Sequence, residues 1–322
     1  MVIIPNLGAE QPRTNSNHLD ALRPFVERVM GILVPDQEHE LWDGRKLGAA
    51  KVIEAYLPPA LREELACHAV FAFINTPEVL GEAAKRGLGL VGSPDAIRYH
   101  RRDWLFQKQA SQNCTWNAQS CCFNFDVTSR EEALSFANDQ IRRTPALQIN
   151  RTWKPFLSAS GSGRCAGSGP ELRADEEQFI LKTPSIGLVL EPWVDRVSDF
   201  SSQYWLTNSK VYWLSSTSQK VSPAGRYLGL KTTWHGSRAP SCQTGGLFEA
   251  SHHDLVQELW LDGYRGPLGI DGFTYHTRGR EMRRDACEIN ARLTMAHLLI
   301  AAHLARSTLR ERSELALDLT PI

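Results

Sequence analysis

Oxygen-bearing side chains recur at strand spacing in two segments of the C-terminal third of the chain, GID and CEIN. In the alternation of a strand, Glu288 and Asn290 share one face, and Cys287 and Ile289 take the other. Asp271 lies opposite the polar pair if the two segments form a hairpin. Two carboxylates and one amide oxygen suit Mg²⁺ bound jointly with substrate phosphates, rather than zinc. The pattern predicts a magnesium site, although a plain surface hairpin has the same alternation.

A lysine precedes a loop of glycines and serines in the stretch WKPFLSASGSGR. The alternation over residues 146–154 predicts one strand, with Trp153 on its apolar face and Lys154 on its polar face. Small residues in the loop let backbone N–H groups converge on a phosphate, and Lys154 supplies positive charge. Arg292, two positions after Asn290, would reach the same cavity and bind a transferring phosphate. A flexible loop without a ligand has the same composition, so both interpretations stay open.

An apolar strand ends in polar and aromatic groups in the segment LVLEPWV. Its end, from Glu191 to Val194, offers a carboxylate or carbonyl for an amino group and a backbone N–H for a ring nitrogen, as an adenine requires. Trp193 would cover the ring, and Asp199 lies downstream, where it would bind ribose hydroxyls. The alternative is a buried strand that ends at a proline turn, with Glu191 in a salt bridge.

Composition limits the class of protein. The 322 residues are 42% hydrophobic and 22% charged, which is typical of a globular chain with two or three domains. Lys+Arg and Asp+Glu balance at 36 each, so no global field favours nucleic acid or an anionic membrane. No apolar run approaches the roughly 20 residues that span a bilayer, and the N-terminal segment lacks the basic flank of a signal peptide. Seven cysteines without framework spacing indicate a reducing compartment. We expect a cytoplasmic protein that binds neither nucleic acid nor membrane.

The elements that position these groups follow from periodicity and capping residues. The segments MVII, HAVFAFIN and LGLVG predict strands, and TPEVLGEAAKRG predicts a helix between the last two, so a βαβ unit is expected in the first 92 residues. Ser93 is the predicted cap of a helix that continues through DAIRYHRRDWLFQKQA. Thr128 and Glu131 have the spacing of a capping box at the next helix. After Pro145, strands and loops rich in Gly and Ser predominate.

Taken in chain order, the segments WKPFLSASGSGR, LVLEPWV and GID followed by CEINAR resemble the ATP-grasp superfamily, in its carboxylate–amine/thiol ligase type. The resemblance covers roughly residues 93–305. It implies an α/β (α+β) ATP-grasp fold with an N-terminal Rossmann-like small domain. The implied division is a small domain at 1–92, a lid subdomain with the Gly/Ser loop at 93–185, and a C-terminal subdomain with the hinge and metal site at 186–322.

The resemblance also implies a role for each candidate residue. Lys154 would contact ATP phosphates beneath a covering loop with Ser160, Gly161 and Gly163, and Lys154 and Arg292 would be catalytic. Adenine would contact Glu191, Trp193 and Val194, and ribose would contact Asp199. Mg²⁺, or Mn²⁺ as an alternative, would be bound by Asp271, Glu288 and Asn290. The chain departs from the family at the second ATP-binding lysine, for which Arg101, Arg102 and Lys108 are the candidates. The hinge also lacks the common Gly-x-Glu.

The implied activity is an ATP-dependent ligase that activates a carboxylate as an acyl phosphate for attack by an amine. Two alternatives stay open: a nucleotide-binding regulatory protein without ligase activity, and a small-molecule kinase of the same fold. The expected partners are ATP and small-molecule carboxylate and amine substrates, and a homodimer is a further expectation. No motif in the chain identifies the carboxylate or the nucleophile.

Overall fold

The computed structural model describes residues 2–4, 40–41, 69–72, 75, 77–85, 89–90, 92–110, 116–156, 164–208, 211–222, 227–234, 247–277, 279–297 and 314–318. The predicted covering-loop residues Ser160, Gly161 and Gly163 lie outside these ranges. Within the described ranges, no helix combines the length and the apolar character needed to cross a bilayer.

The first sheet is parallel, as the βαβ pattern predicts. Its strands are β1 (Val2–Ile4), β2 (Glu40–Leu41), β3 (Ala69–Ala72) and β4 (Gly89–Leu90), in the spatial order β2-β1-β3-β4. Helix α1 (Pro77–Lys85) lies between β3 and β4 and begins at a proline, whose missing N–H costs nothing in the first turn of a helix. Parallel strands joined through a helix make up a Rossmann-like unit, so this part of the fold prediction is confirmed.

The helix predicted after Ser93 is wrong in its start and in its continuity. The structure has two helices, α2 (Ala96–His100) and α3 (Arg102–Ala110), separated by Arg101, whose backbone is extended. Ser93 does not cap α2. Its hydroxyl donates to the carbonyl of Arg265 (3.1 Å) and accepts from the N–H of the same residue (2.6 Å). The serine therefore fastens the chain to a distant segment instead of starting a helix.

The second sheet is antiparallel. Its strands are β5 (Cys121–Asn124), β6 (Arg151–Pro155), β7 (Cys165–Gly167) and β8 (Gly187–Pro192), in the order β5-β8-β6-β7, with helices α4 (Arg130–Arg143), α5 (Pro145–Ile149) and α6 (Ala174–Lys182) between them in sequence. The strand predicted over 146–154 is wrong in its first half, because Pro145 starts a short helix there. The capping box is displaced by one residue, to Ser129 and Glu132.

The third sheet is also antiparallel and is the largest. Its strands are β9 (Arg196–Leu206), β10 (Val211–Val221), β11 (Tyr227–Trp234), β12 (Gly266–Thr277), β13 (Arg280–Asn290) and β14 (Glu314–Asp318), in the order β13-β12-β9-β10-β11-β14, and helix α7 (Leu247–Leu261) precedes β12. One face packs against helices through an apolar core that includes Tyr99, Leu259 and Ile289. The residues on the opposite face of the sheet include polar ones, among them Ser201 and Asp271. The predicted β12–β13 hairpin is confirmed.

A buried ion pair holds the second sheet to its helices. Arg151 on β6 and Glu176 on α6 are both fully buried, and Nε and Nη2 of the arginine donate to the two carboxylate oxygens (2.7 and 2.6 Å). The indole Nε1 of Trp153 also donates to Glu176 (2.8 Å). A side chain at Gly167 would place its Cβ 2.0 Å from this carboxylate, so glycine is required there for close approach.

We predict that Glu176→Gln lowers the free energy of unfolding by about 3–5 kcal/mol, because it leaves the Arg151 charge buried without a counterion. The measurement is a urea titration followed by circular dichroism. Glu177→Gln, at the exposed neighbouring position of α6, is the matched control and should change stability by less than about 0.5 kcal/mol. Equal effects of the two substitutions would contradict the prediction.

Candidate functional site

The three predicted magnesium ligands meet in the β12–β13 hairpin. Asp271 lies directly opposite Glu288 in the strand register, and Asn290 is two residues further along β13. Nδ2 of Asn290 donates to Oδ2 of Asp271 (2.8 Å), and Nε2 of Gln219 on β10 donates to Oδ1 (3.2 Å). The oxygen-bearing side chains thus come from β12 and β13, and a side chain of β10 hydrogen-bonds to one of them.

This donor set fits Mg²⁺. Oδ1 of Asn290 is a buried oxygen with no hydrogen-bond partner among the described residues, and the side chain is almost inaccessible. An unpaired buried carbonyl is unfavourable by about 1–3 kcal/mol, so an oxygen in this state favours binding of a cation. Among the described residues no three His, Cys, Asp or Glu side chains group so as to hold a metal. The third ligand would therefore be this amide oxygen, which a hard cation accepts.

Burial and charge move the two carboxyl groups in opposite directions. Burial first, and then the neighbouring Glu288 carboxylate, raise the pKa of Asp271 above its usual range. Burial opposes the ionisation of Glu288 as well, but Arg102 and the other basic groups around it outweigh burial and lower its pKa. A cation between the two groups would favour the ionised form of both.

Glu191 and Lys154 form a buried ion pair. Antiparallel pairing of β6 with β8 places Thr152 opposite Glu191, so Lys154, two residues along, shares its face. The second carboxylate oxygen of Glu191 accepts from Nη1 of Arg284 on β13 (2.7 Å) and from Nε1 of Trp116 (3.4 Å). Burial would raise the pKa of Glu191, but Arg284 and Lys154 together hold it well below its usual range. The carboxylate is therefore ionised, and both of its oxygens already accept hydrogen bonds from cationic side chains.

The hinge after β8 places an aromatic ring close to two guanidinium groups. Arg164 lies 4.8 Å and Arg196 lies 5.3 Å from the ring centre of Trp193. The backbone N–H of Trp193 donates to the carbonyl of Asn150 (2.9 Å), so it is not available to a ligand. The next backbone N–H along the hinge is that of Val194.

Asp199 lies on β9 in the alternation that also carries Ser201, on the side of the sheet where Asp271 points. Its carboxylate is half-buried and pairs with Arg196 (2.5 Å). The guanidinium of Arg196 also lies 4.2 Å from the ring centre of Phe273. The structure thus brings Asp199 close to the hinge aromatics, through an arginine that contacts both.

One of the three candidates for the second cation lies at the site. Nη2 of Arg102 is 3.3 Å from Oε1 of Glu288, and its Nη1 donates to the carbonyl of Pro155 (2.7 Å). The other two form ion pairs elsewhere, Arg101 with Asp103 and Lys108 with Glu258. Arg292 is close enough to Glu288 and Asp271 for both carboxylates to act on it, although burial is the largest influence and lowers its pKa.

The prediction that Cys287 faces away from the magnesium ligands rests on an alternation that β13 does not keep at this point. The register shifts between Asp271 and Phe273, where three residues of β13 oppose one of β12, and this bulge breaks the alternation. The thiol lies within electrostatic range of Arg196, Arg284 and Lys154, which are all cations of the site. Burial is the stronger influence and raises the pKa of Cys287 to about 11, so the thiol is protonated.

Two residues of the site have no role in the sequence motifs. Arg284 is four residues before Glu288 on the same strand and pairs with Glu191. Its guanidinium also lies 4.5 Å from the ring centre of Trp116, which packs edge-on against Phe273. Alternation from Glu288 does not identify Arg284, because the bulge lies between the two residues. No local signal points to Trp116, because the contacts of its side chain with Glu191, Arg284, Phe273 and Tyr275 are all distant in sequence.

A neutral histidine lies behind the magnesium ligands. Nδ1 of His100 on α2 is 2.8 Å from the carbonyl of Ile289, and because a carbonyl only accepts, Nδ1 carries the proton. Burial, and then the charge of Arg292, lower the pKa of His100 to about 3. The imidazole is therefore uncharged at neutral pH.

No protein-family model matches the chain. Among solved structures, the biotin carboxylase of Campylobacter jejuni, in a complex named β-γ-ATP, aligns with a TM-score of 0.52 and 14% identity over 97% of this chain and 74% of that one. The biotin carboxylase domain of the Hydrogenobacter thermophilus 2-oxoglutarate carboxylase, in complex with MgADP, ADP and bicarbonate, aligns with a TM-score of 0.51 and 12% identity. The alignment covers 97% of this chain and 70% of that one. At these identities the likeness shows the fold, which is the ATP-grasp fold.

One curated protein is similar in sequence. The [butirosin acyl-carrier protein]–L-glutamate ligase of Niallia circulans is 26% identical over 168 residues, which cover 47% of this chain and 38% of that protein. The chain therefore spans well under half the length of the curated relative that it matches.

We predict that stability falls as the pH decreases from 6.5 towards 4, in part through His100. The unfolded histidine, with a pKa near 6.5, takes up a proton in this window, and the folded one does so only near pH 3. Its contribution is complete above pH 6.5 and is lost progressively below it.

The measurement is the free energy of unfolding against pH for wild type and His100→Asn, whose amide can still donate to Ile289. The variant should have a slope shallower by up to about 1.4 kcal/mol per pH unit between pH 4 and 6. Identical slopes would contradict the prediction.

Proposed function

We propose that this chain, which has the ATP-grasp fold, is an ATP- and Mg²⁺-dependent ligase that joins a carboxylate to an amine. The observation that carries the proposal is the convergence of cationic side chains around the oxygen-bearing side chains of Asp271, Glu288 and Asn290. More cationic groups than carboxylates meet there: Arg102, Lys154, Arg164, Arg196, Arg284 and Arg292 against Glu191, Asp199, Asp271 and Glu288. A polyphosphate supplies the negative charge that such a cluster lacks.

The proposed nucleotide lies along the hinge with its phosphates towards the hairpin. The base takes its hydrogen bond from Val194 beside Trp193, and Asp199 binds the ribose. Lys154 and Arg102 approach the phosphates, beneath a loop that contains Ser160, Gly161 and Gly163. In this proposal the base lies near the end of β8, and the phosphates lie near the end of β13.

Asp271, Glu288 and Asn290 are the residues that would hold Mg²⁺, with Mn²⁺ as an alternative metal. When bound, the ion supplies positive charge that neutralises the phosphoryl oxygens. Gln219 keeps Asp271 in place through its amide, and Arg102 does the same for Glu288. The protein thus supports both carboxylates from neighbouring elements.

The proposed chemistry has two displacements. A carboxylate oxygen of the substrate attacks the γ-phosphorus of ATP, and the bond to the β,γ-bridging oxygen breaks as ADP leaves. The amine nitrogen then attacks the acyl carbon, loses a proton, and displaces phosphate. Lys154 and Arg292 neutralise charge that spreads over the phosphoryl oxygens, which is the main contribution a protein makes to phosphoryl transfer.

The curated relative supports ligase chemistry on a carboxylate, since its name describes a ligase that joins L-glutamate to an acyl-carrier protein. We propose small-molecule carboxylate and amine substrates, a cytoplasmic location, and a three-part division of the chain at residues 92 and 185. A homodimer is part of the same proposal. The regulatory-protein and kinase alternatives differ from it in their products, and an assay can separate them.

We predict that wild type binds ATP in calorimetric titrations only when Mg²⁺ is present. Lys154→Met should weaken binding by roughly 10–100-fold, because it removes a charge-assisted contact to phosphate. Glu288→Gln should remove most of the magnesium effect. Lys231→Met and Glu281→Gln, at exposed positions of β11 and β13, are the matched controls and should bind as wild type does.

The activity is tested by screening carboxylates and amines for release of ADP and phosphate. A ligase releases both only when the carboxylate and the amine are present together. Release of ADP with a stable phosphorylated compound would instead indicate the kinase. Binding of ATP without Mg²⁺ dependence and without turnover would favour the regulatory protein.

A further inference from the structure

The carboxylate of Glu191 is paired with two cations, although one is enough to neutralise it. Lys154 reaches one oxygen from β6, and Nη1 of Arg284 reaches the other from β13 (2.7 Å). All three side chains are buried, with exposed fractions of 13% for Lys154, 5% for Glu191 and 7% for Arg284. The trio therefore carries an excess positive charge in a place with little access to water.

Arg284 is held in this position from several sides. Its guanidinium lies 4.5 Å from the ring centre of Trp116 and 6.0 Å from that of Phe273. Trp116 is fixed in turn by edge-on packing against Phe273 (5.6 Å) and Tyr275 (5.4 Å). Cation–π contacts of this kind stabilise a guanidinium where it lies. Arg284 is thus a stationary counterion of Glu191.

Lys154 has a different environment. It is the last residue but one of β6, close in sequence to the predicted covering loop, and its flexible stem allows the ammonium to point in more than one direction. Other cations, Arg102 and Arg196, repel it, and burial disfavours its charge. A phosphate nearby would compete with Glu191 for this ammonium.

Movement of the Lys154 ammonium from Glu191 to a phosphate has a free-energy cost that depends on Arg284. A buried carboxylate that loses its only counterion is strongly destabilised. When Lys154 moves to a phosphate, Glu191 keeps the bond from Arg284 and remains neutralised. Without Arg284, the same movement would leave a bare carboxylate in a buried site, and Lys154 would stay where it is.

We propose that Arg284 is a positioning residue that keeps Glu191 neutralised, so that Lys154 can exchange from Glu191 to the phosphates of ATP. The inference rests on the proposed function, because it requires ATP to bind at this site. It assigns Glu191 to charge exchange rather than to recognition of the base.

The test compares ATP with adenosine, which has no phosphates. In calorimetric titrations with Mg²⁺, Arg284→Met should weaken ATP binding by roughly 100-fold, because Lys154 stays bound to Glu191. Adenosine binding should change by less than about threefold. Arg284→Lys, which retains the charge, should recover part of the ATP affinity. Arg283→Met is the matched control, since Arg283 is the preceding residue and pairs with Asp285 (2.5 Å).

Two further variants test the charge itself. In the double variant Glu191→Gln, Arg284→Met there is no carboxylate to neutralise, so ATP affinity should return to within about fivefold of wild type. Glu191→Gln alone should bind ATP at least as tightly as wild type, because nothing then holds Lys154 away from the phosphates. This single variant keeps the proposal testable if Arg284→Met does not fold.

Several outcomes would overturn the proposal. Equal loss of ATP and adenosine binding in Arg284→Met would make Arg284 part of the base site. A failure of Glu191→Gln to restore the double variant, or a loss of ATP affinity in Glu191→Gln alone, would exclude charge exchange. If folded wild-type protein does not bind ATP, the proposed function itself fails. If wild type binds and Arg284→Met binds equally well, only the inference fails.

Discussion

The interaction on which the site depends is the contact of Glu191 with Arg284, because it joins the second sheet to the third. Glu191 ends β8 and Arg284 lies within β13, and the two strands belong to different sheets. Charged groups removed from water must be paired, so this contact restricts how the two sheets can be arranged. Lys154 reaches the same carboxylate from β6. The hinge and the hairpin are consequently held to one another in part by charged contacts.

Buried charges are neutralised to different extents in the second sheet and at the candidate site. In the second sheet, Arg151 and Glu176 balance one another, and every donor of the guanidinium has a carboxylate or carbonyl partner. At the site the balance is incomplete, with surplus cations on one side and the unpaired Oδ1 of Asn290 on the other. The first arrangement stabilises a fold, and the second favours a ligand that carries both negative charge and a cation.

Local patterns in the sequence identify the strands that carry the ligands, and they identify Asp271, Glu288, Asn290 and Lys154, because alternation is a property of each strand alone. They do not reveal contacts between sheets. Arg284 and Trp116 meet Glu191 from 93 and 75 residues away, and no spacing rule connects them. Alternation also fails at Cys287, since a bulge depends on how two strands pair. The helix break at Arg101 is equally hidden, because no glycine or proline marks it within residues 96–110.

That break at Arg101 has a mechanical consequence. Immediately after it, the backbone N–H of Arg102 donates to the carbonyl of Phe156 (3.1 Å), and its side chain donates to Pro155. Phe156 is also bonded through its own N–H to Gly187 at the start of β8 (3.0 Å). The first turn of α3 is therefore stitched to two strands of the second sheet. A displacement of the second sheet relative to the third would therefore either move the first turn of α3 with it or break these hydrogen bonds.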